Sequence, residues 1–282
     1  MAENFTNDSA MMIAYERALE TRRGDAALFQ DPFAEVLAGS KGESLSAAFG
    51  ANCAMFELTD WPEFHKTWTA VRTRFIDEHV CECTGTKCFA QLVNLGAGMD
   101  VRPYRLKEYS AFEGGCFDVD MEVVNASRQK VFEEVLGNPV SHCPVHTLDL
   151  DFLDEAKTLG SELEATTKFD AAKPTVFVAE GLIMYLGEKG KVKLIRDVSA
   201  AAAPGSVFIL NFMDASDSET ATDAQRAQAL SQEEAKQALT EHGWEQPKFW
   251  KFGESGLDFD RFPNDRFKPR AAFSFLIAVK SA

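Results

Sequence analysis

At 282 residues the chain is long enough for one large α/β domain with an extra lobe, and its 45% hydrophobic and 11% aromatic content, including 23 Phe, excludes global disorder. The formal charge of −15 repels phosphate backbones and no basic patch offsets it, so no nucleic-acid partner is expected. No run approaches the ~18 apolar residues of a membrane span, and the opening MAENFTNDSAMM lacks a signal peptide's basic start and apolar centre, so a cytoplasmic protein is expected.

Residues 1–86 read as helical. Met11, Met12, Ile13, Tyr15, Ala18 and Leu19 form an apolar face at helical spacing, with Glu16, Arg17, Glu20 and Arg22 on the other side. Arg22-Arg23-Gly24-Asp25 ends that helix, and Asp31-Pro32 starts another with proline in its first turn. Gly39 to Ser46 reads as a polar loop. A third helix carries Phe64, Trp68, Val71, Phe75 and Val80 at spacings near three and four, together with Arg72, Arg74 and Asp77. This block is expected to be a cap, residues 1–86, over a second domain at residues 87–282. The cysteines (Cys53, Cys81, Cys83, Cys88, Cys116 and Cys143) show no standard zinc spacing and no accompanying histidine pair, so reduced thiols and no metal are expected.

From residue 87 strands and helices alternate. Strand-like runs are Ala90–Leu95, Gly115–Val119, Val145–Leu150, Thr175–Ala179, Val207–Phe212 and Ala272–Val279, with helix-like stretches at Met121–Leu136, Lys189–Ala203 and Ser231–His242. Ser231 with Glu234 is a capping-box signature. The alternation predicts an α/β fold with a doubly wound, mostly parallel sheet. Lys248–Phe252 and Phe273–Lys280, joined without a helix, suggest an antiparallel C-terminal pair at the sheet's edge. Residues 214–229 read as a mobile polar loop.

The centre of the pattern is Phe89-Ala90-Gln91-Leu92-Val93-Asn94-Leu95-Gly96-Ala97-Gly98, an apolar run passing into a glycine pair where a strand hands over to a helix. Glycine there permits positive φ and close approach of a ligand, and amides at a following helix start accept an anion. The third glycine of the dinucleotide fingerprint is missing, since Val101 takes its place, which favours S-adenosylmethionine over a nicotinamide or flavin. Ligands in open α/β sheets bind beyond the carboxyl ends of the strands. The residues found there are Gly96, Ala97 and Gly98, then Asp120 or Asp118 for a ribose, Asp149-Leu150 for an adenine, and Glu180-Gly181. Arg72 or Arg74 can hold a carboxylate with a two-pronged hydrogen bond, or can form a surface pair with Asp77 or Glu78. His65, His79, His142, His146 and His242 show no triad partner and no nucleophile elbow, and read as structural or exposed.

Asn94-Leu95-Gly96-Ala97-Gly98-Met99-Asp100 with Tyr104-Arg105-Leu106, and Ala179-Glu180-Gly181-Leu182-Ile183-Met184-Tyr185-Leu186, strongly resemble the leucine carboxyl methyltransferase family. Ala18-Leu19-Glu20-Thr21-Arg22-Arg23, Leu28-Phe29-Gln30-Asp31-Pro32 and Arg72-Thr73-Arg74-Phe75-Ile76-Asp77 are similar to the signature of its bacterial, polyketide-associated branch, and the resemblance runs from about residue 10 to about residue 215. It implies a class I S-adenosylmethionine-dependent methyltransferase with a seven-stranded sheet and a helical cap. It further implies that Arg72 binds the methionine carboxylate, that Gly96 and Gly98 flank the methionine and sugar, and that Asp120 holds the ribose. Asp149 and Leu150 would take the adenine and Glu180 the amino end, with Arg23 on the lid side.

The family's best-known members methylate a C-terminal leucine carboxylate on a phosphatase subunit, and others methylate small-molecule carboxyl or hydroxyl groups. The Glu-Thr-Arg-Arg signature points to the second group. The expected acceptor is therefore a small-molecule or peptide carboxylate or hydroxyl, in a pocket lined by Met11, Tyr15, Tyr185 and Phe212. A carboxylate acceptor needs no base, whereas a hydroxyl needs one, for which Glu180 and Tyr185 are candidates. The competing readings are an NAD(P)-dependent oxidoreductase and a non-catalytic module that binds an adenosyl ligand.

Overall fold

A computed structural model describes residues 2–52, 61–86, 89–214, 223–254, 256–257, 259–261 and 272–281. Four helices come first: α1 (Ala2–Thr21), α2 (Ala34–Ala38), α3 (Gly42–Asn52) and α4 (Trp61–Gly85). They are followed by β1 (Gln91–Leu95), α5 (Arg102–Arg105), β2 (Gly115–Asp120), α6 (Glu122–Glu134), β3 (Val145–Asp149), α7 (Leu159–Thr166), β4 (Thr175–Ala179) and α8 (Gly187–Ala201). The chain continues through β5 (Val207–Asp214), α9 (Asp223–Gln228), α10 (Gln232–Glu241), β6 (Trp244–Lys251) and β7 (Ala272–Lys280).

The strands form one seven-stranded sheet in the order β3-β2-β1-β4-β5-β7-β6, parallel from β3 through β5, with β7 antiparallel to both its neighbours. The fold is thus doubly wound and mostly parallel. The antiparallel pair sits at the expected edge, and within it the C-terminal strand is the inner partner. Burial explains that placement: Phe273, Ser274, Phe275, Leu276 and Ala278 of β7 are buried, whereas β6 has a register irregularity between Glu245 and Lys248, around Pro247, suited to an edge.

Strands β1, β2 and β4 are buried at every position, as expected of parallel strands covered on both faces. Side chains alternate between those faces. Val93, Leu95, Phe117, Phe177 and Phe208 meet Leu159 and Leu163 of α7 and Leu194, Ile195 and Val198 of α8. Leu92, Cys116, Val176, Val178 and Ile209 meet Phe64, Trp68, Val71 and Phe75 of α4. Phe75 stacks on Phe275 at 4.1 Å, and Trp68 lies 5.0 Å from Phe273. The long helix α4 is therefore laid across the sheet, which fixes the direction in which its polar residues point.

The local structure departs from the sequence expectations in several places. Only Gly39, Ser40 and Lys41 of the expected loop at Gly39 to Ser46 connect helices, and the rest begins α3, whose Gly42 lets it approach α1 so closely that a Cβ would lie 2.8 Å from that of Tyr15. α7 went unpredicted; its start is set by Thr158, whose hydroxyl accepts from Ser161 N. The polar stretch 214–229 contains α9 in its second part, while residues 215–222 lie outside the described residues, as do Cys53 and Cys88. The capping box at Ser231 and Glu234 forms as expected.

Candidate ligand-binding site

Because β2, β1 and β4 are neighbours, the residues that follow their carboxyl ends lie side by side. Asp120 ends β2, Gly96 follows β1 and Glu180 follows β4, so the two carboxylates stand about two strand spacings apart, roughly 10 Å, with the glycine turn between them. The turn folds back over β2: Gly96 N and Ala97 N donate to Val119 O at 2.8 and 3.2 Å. Gly96 and Gly98 adopt φ of 67° and 52°, the left-handed region that glycine enters at little cost.

Above this row lies a cavity of about 280 Å³ lined mainly by apolar groups. Its floor is Gly96, Ala97, Gly98, Asp120, Glu180 and Gly181. Its roof is α1, which contributes Thr6, Ser9, Ala10, Ile13 and Arg17, a helical stripe at i, i+3, i+4, i+7 and i+11. A wall is supplied by α4, through His65, Trp68 and Arg72.

The polar ends of the cavity differ in character, a carboxylate held by backbone amides at one and an ion-paired network at the other. At the β2 end, Asp120 accepts from Gly98 N and Met121 N, both at 2.7 Å, and burial pushes its carboxyl above the ordinary value. At the β4 end, Arg72 Nε donates to Glu180 Oε1 at 2.9 Å and Arg102 Nη2 to Glu180 Oε2 at 2.7 Å. Burial alone would raise Glu180, but the guanidinium groups of Arg102 and Arg72 outweigh it and hold the carboxyl down at about 2. Arg102 is fully buried and also binds Asp77 and Asp100, both at 2.6 Å, while Arg105 reaches Asp77 at 2.7 Å. Such a lattice suits a ligand with vicinal hydroxyls at one end and a zwitterionic tail at the other.

Of the residues expected at a site, Arg72, Gly96, Ala97, Gly98, Asp120 and Glu180 line this one cavity. The others do not. Asp149 ends β3 beside Asp120, its Oδ1 accepting from Asn125 Nδ2 at 2.8 Å, and Leu150 is core, its N–H donating to Asp120 O. Asp118 is enclosed beneath the turn, paired with Arg128 at 3.0 Å and accepting from Asn94. Arg74 projects from the far side of α4 to Glu78 and Leu28 O, and Arg23 is half exposed beside Glu20. The guanidinium two residues from Arg72 is turned away because a helix places i and i+2 on different faces.

Among the residues expected around an acceptor, only Tyr185 lines the cavity. Met11 and Tyr15 pack with the α2 and α6 side of α1, and Phe212 is core. Neither candidate base is suited to accept a proton. Both Glu180 oxygens already receive guanidinium hydrogen bonds, and loss of hydration raises the Tyr185 hydroxyl, which lies 2.7 Å from Ser9 Oγ, above the ordinary phenol value.

Several residues in the cavity wall or directly behind it escaped the sequence reading. Arg17 and Glu16, placed there on the polar face of α1, are buried: Arg17 lies 3.3 Å from Asp31 and donates to Met99 O, and Glu16 binds His65. The signal for His65 was its position three residues before Trp68 and seven before Arg72, one side of a helix. Arg102, which lies between the two quoted halves of the family motif and behind the cavity, was not singled out at all.

Comparison with known proteins follows the same lines. A provisionally named S-adenosyl-L-methionine-dependent methyltransferase of Mycobacteroides abscessus is 32% identical over 203 residues, covering 70% of this chain and 63% of the relative. Another, from Streptomyces coelicolor, is 32% identical over 207 residues, covering 71% and 63%. The chain thus matches a little under two thirds of the length of these relatives. Among solved structures, a DUF574 family protein from Streptomyces avermitilis superimposes with a TM-score of 0.58 at 16% identity, over 96% of this chain and 97% of that one. A provisionally assigned methyltransferase from Thermobifida fusca gives 0.56 at 15% identity, over 86% and 89%. These two show a shared fold. The model of the leucine carboxyl methyltransferase family matches residues 10–199, more than half of the sequence, and the chain belongs to that family.

Proposed function

We propose that the chain is an S-adenosylmethionine-dependent O-methyltransferase acting on a carboxyl or hydroxyl oxygen of a small molecule or peptide C-terminus. The observation that carries this reading is the single cavity in which Asp120 and the Arg72–Glu180 pair face each other across Gly96 to Gly98. Asp120 offers acceptor oxygens to a ribose diol. Arg72 and Glu180 match the carboxylate and ammonium of an amino-acid tail. The glycines keep the floor open: a Cβ at Gly96 would lie 3.1 Å from Leu182, and one at Gly181 would lie 3.3 Å from the Arg72 guanidinium. The names of the curated relatives support the coarser part of this reading, methyl transfer that depends on S-adenosyl-L-methionine, and specify no acceptor.

When bound, S-adenosylmethionine supplies an electrophilic methyl carbon on a sulfonium. The chain's own contribution is positional. Arg72 and Glu180 fix the tail, Asp120 fixes the sugar, and α1 covers one side of the cavity, which is catalysis by proximity and orientation. Adenine would lie toward the end of β3, where Asp149 and Leu150 stand outside the enclosed volume.

Calorimetry and thermal unfolding with S-adenosylhomocysteine test this. Micromolar affinity is expected, with stabilisation of about 2.7 kcal/mol at a hundredfold excess over Kd. No heat and no shift would overturn the assignment.

A further inference from the structure

Glu180 stands on a turn that one side chain of the neighbouring strand holds in place. The last paired position of β4 with β5 is Ala179 with Leu210, so Asn211 of β5 stands one step further on, at the level of Glu180. Ile209 and Met213, two residues to either side, belong to the sheet face that packs under α4, as does the cross-strand neighbour Phe275. Asn211 is fully buried on that face.

An asparagine is a costly residue at such a position. Its Oδ1 accepts from Gly181 N at 2.7 Å, and because that partner is a donor, the orientation of the amide is settled and Nδ2 points elsewhere. Nδ2 is buried and meets no acceptor among the described residues. A buried donor without a partner is destabilising, and a site flanked by Ile209, Met213 and Phe275 suits an aliphatic side chain of similar size. Asparagine therefore adds little stability of its own here. What it delivers is the single bond to Gly181.

That bond fixes the floor beneath the Arg72 guanidinium. Gly181 has φ of 66°, and its N–H lies past the last paired position of β4. A Cβ on it would lie 3.3 Å from Arg72 Nη1 and 3.7 Å from both Cζ and Nη2, so the guanidinium rests directly on this turn. The residue before, Glu180, accepts from Arg72 Nε, and the residue after, Leu182, packs against Gly96. Movement of the turn would shift both anchors of the amino-acid tail and the glycine floor beside them.

We propose that Asn211 is a positioning residue for cofactor binding, one that forgoes stability to set the height of the Glu180–Gly181–Leu182 turn and, through it, the geometry of Arg72 and Glu180. It acts through those residues and is not part of the cavity lining. The proposal rests on the cofactor reading above and adds to it the group that holds the tail's anchors.

The test compares the full wild-type chain with Asn211→Leu and Asn211→Asp, by calorimetry with S-adenosylhomocysteine and by melting without it. Leucine removes the clamp and the stranded donor together. Affinity should fall roughly tenfold, the worth of one hydrogen bond, while the melting temperature stays within about 2 °C of wild type or rises. Aspartate keeps an oxygen for Gly181 N in either protonation state, so affinity should stay within about threefold of wild type. Its melting temperature should fall, because a second carboxyl is buried at the level of Glu180. Amide exchange on wild type needs no variant: Gly181 N–H should be protected although it lies beyond the paired strands. An unprotected Gly181, an Asn211→Leu chain that binds as wild type does or fails to fold, or affinities that merely track melting temperature across the variants, would overturn the inference and leave the cofactor reading intact. Failure of wild type to bind S-adenosylhomocysteine would overturn the cofactor reading itself, and this inference with it.

Discussion

Arg72 Nε and Glu180 Oε1 stand 2.9 Å apart, so the two groups assigned to opposite charges of one ligand tail hold each other. A zwitterionic tail replaces that contact with two of its own, and the fork geometry of the guanidinium matters to the exchange. Arg72→Lys keeps the charge but cannot present two parallel donors. It should cost roughly 1.5–3 kcal/mol of S-adenosylhomocysteine affinity, the worth of a hydrogen bond to a charged group. Calorimetry showing unchanged affinity would remove Arg72 from the site.

The same carboxylate gives an acid signature. Glu180 in the folded chain sits at about 2, below the ordinary carboxylate value, so the stability it confers is complete above pH ~4.5 and drains away as pH falls toward 2. Asp118 and Asp120, both raised by burial, act with the opposite sign, so the wild-type curve alone mixes the effects. The difference between wild type and Glu180→Gln isolates one group. That difference should be largest at pH 7 and shrink between pH 4.5 and 3 in urea titrations. A gap that stays constant with pH would contradict the assignment.

Arg102 binds Asp77, Asp100 and Glu180 from a fully buried position. Removing one partner of a buried ion network leaves the rest uncompensated, at a cost of roughly 3–5 kcal/mol. Arg102→Met should therefore lower thermal stability by many degrees, and Arg102→Lys should not restore it. A near-wild-type melting temperature in either variant would show that the network is not structural.

Asp120 has two tasks. Both its oxygens already accept backbone hydrogen bonds, from Gly98 and Met121. Asp120→Ala should therefore lose ligand affinity and also about 1–3 kcal/mol of stability for each amide left unsatisfied. Chemical denaturation and calorimetry on one preparation separate the two losses. A variant as stable as wild type would mean that water replaces the carboxylate at the turn.

The strands and the glycine turn were legible because their signals are local: an apolar run, a glycine pair and an acid at the next strand end. Arg72 was legible in kind but not in direction, since the helix phase that separates it from Arg74 is set by packing of Trp68 and Phe75 on β7. α7 was missed because its apolar residues, chiefly Leu159 and Leu163, make a short and weak pattern. The Glu16–His65 pair lay beyond reach for another reason: it joins two helices 49 residues apart, and Glu16 looks like a solvated acid until α3 and α4 close over it.

The roof of the cavity is made first and closes last. Residues 6–17 of α1 leave the ribosome ahead of everything they cover, yet Ser9 meets Tyr185 across 176 positions. Arg17 and Glu16 find their partners early, on Asp31 and His65, whereas Ser9 has to wait for the segment that follows β4. The enclosed chamber is therefore a late product of assembly, whereas the sheet beneath it needs no contribution from that first helix to pair its strands.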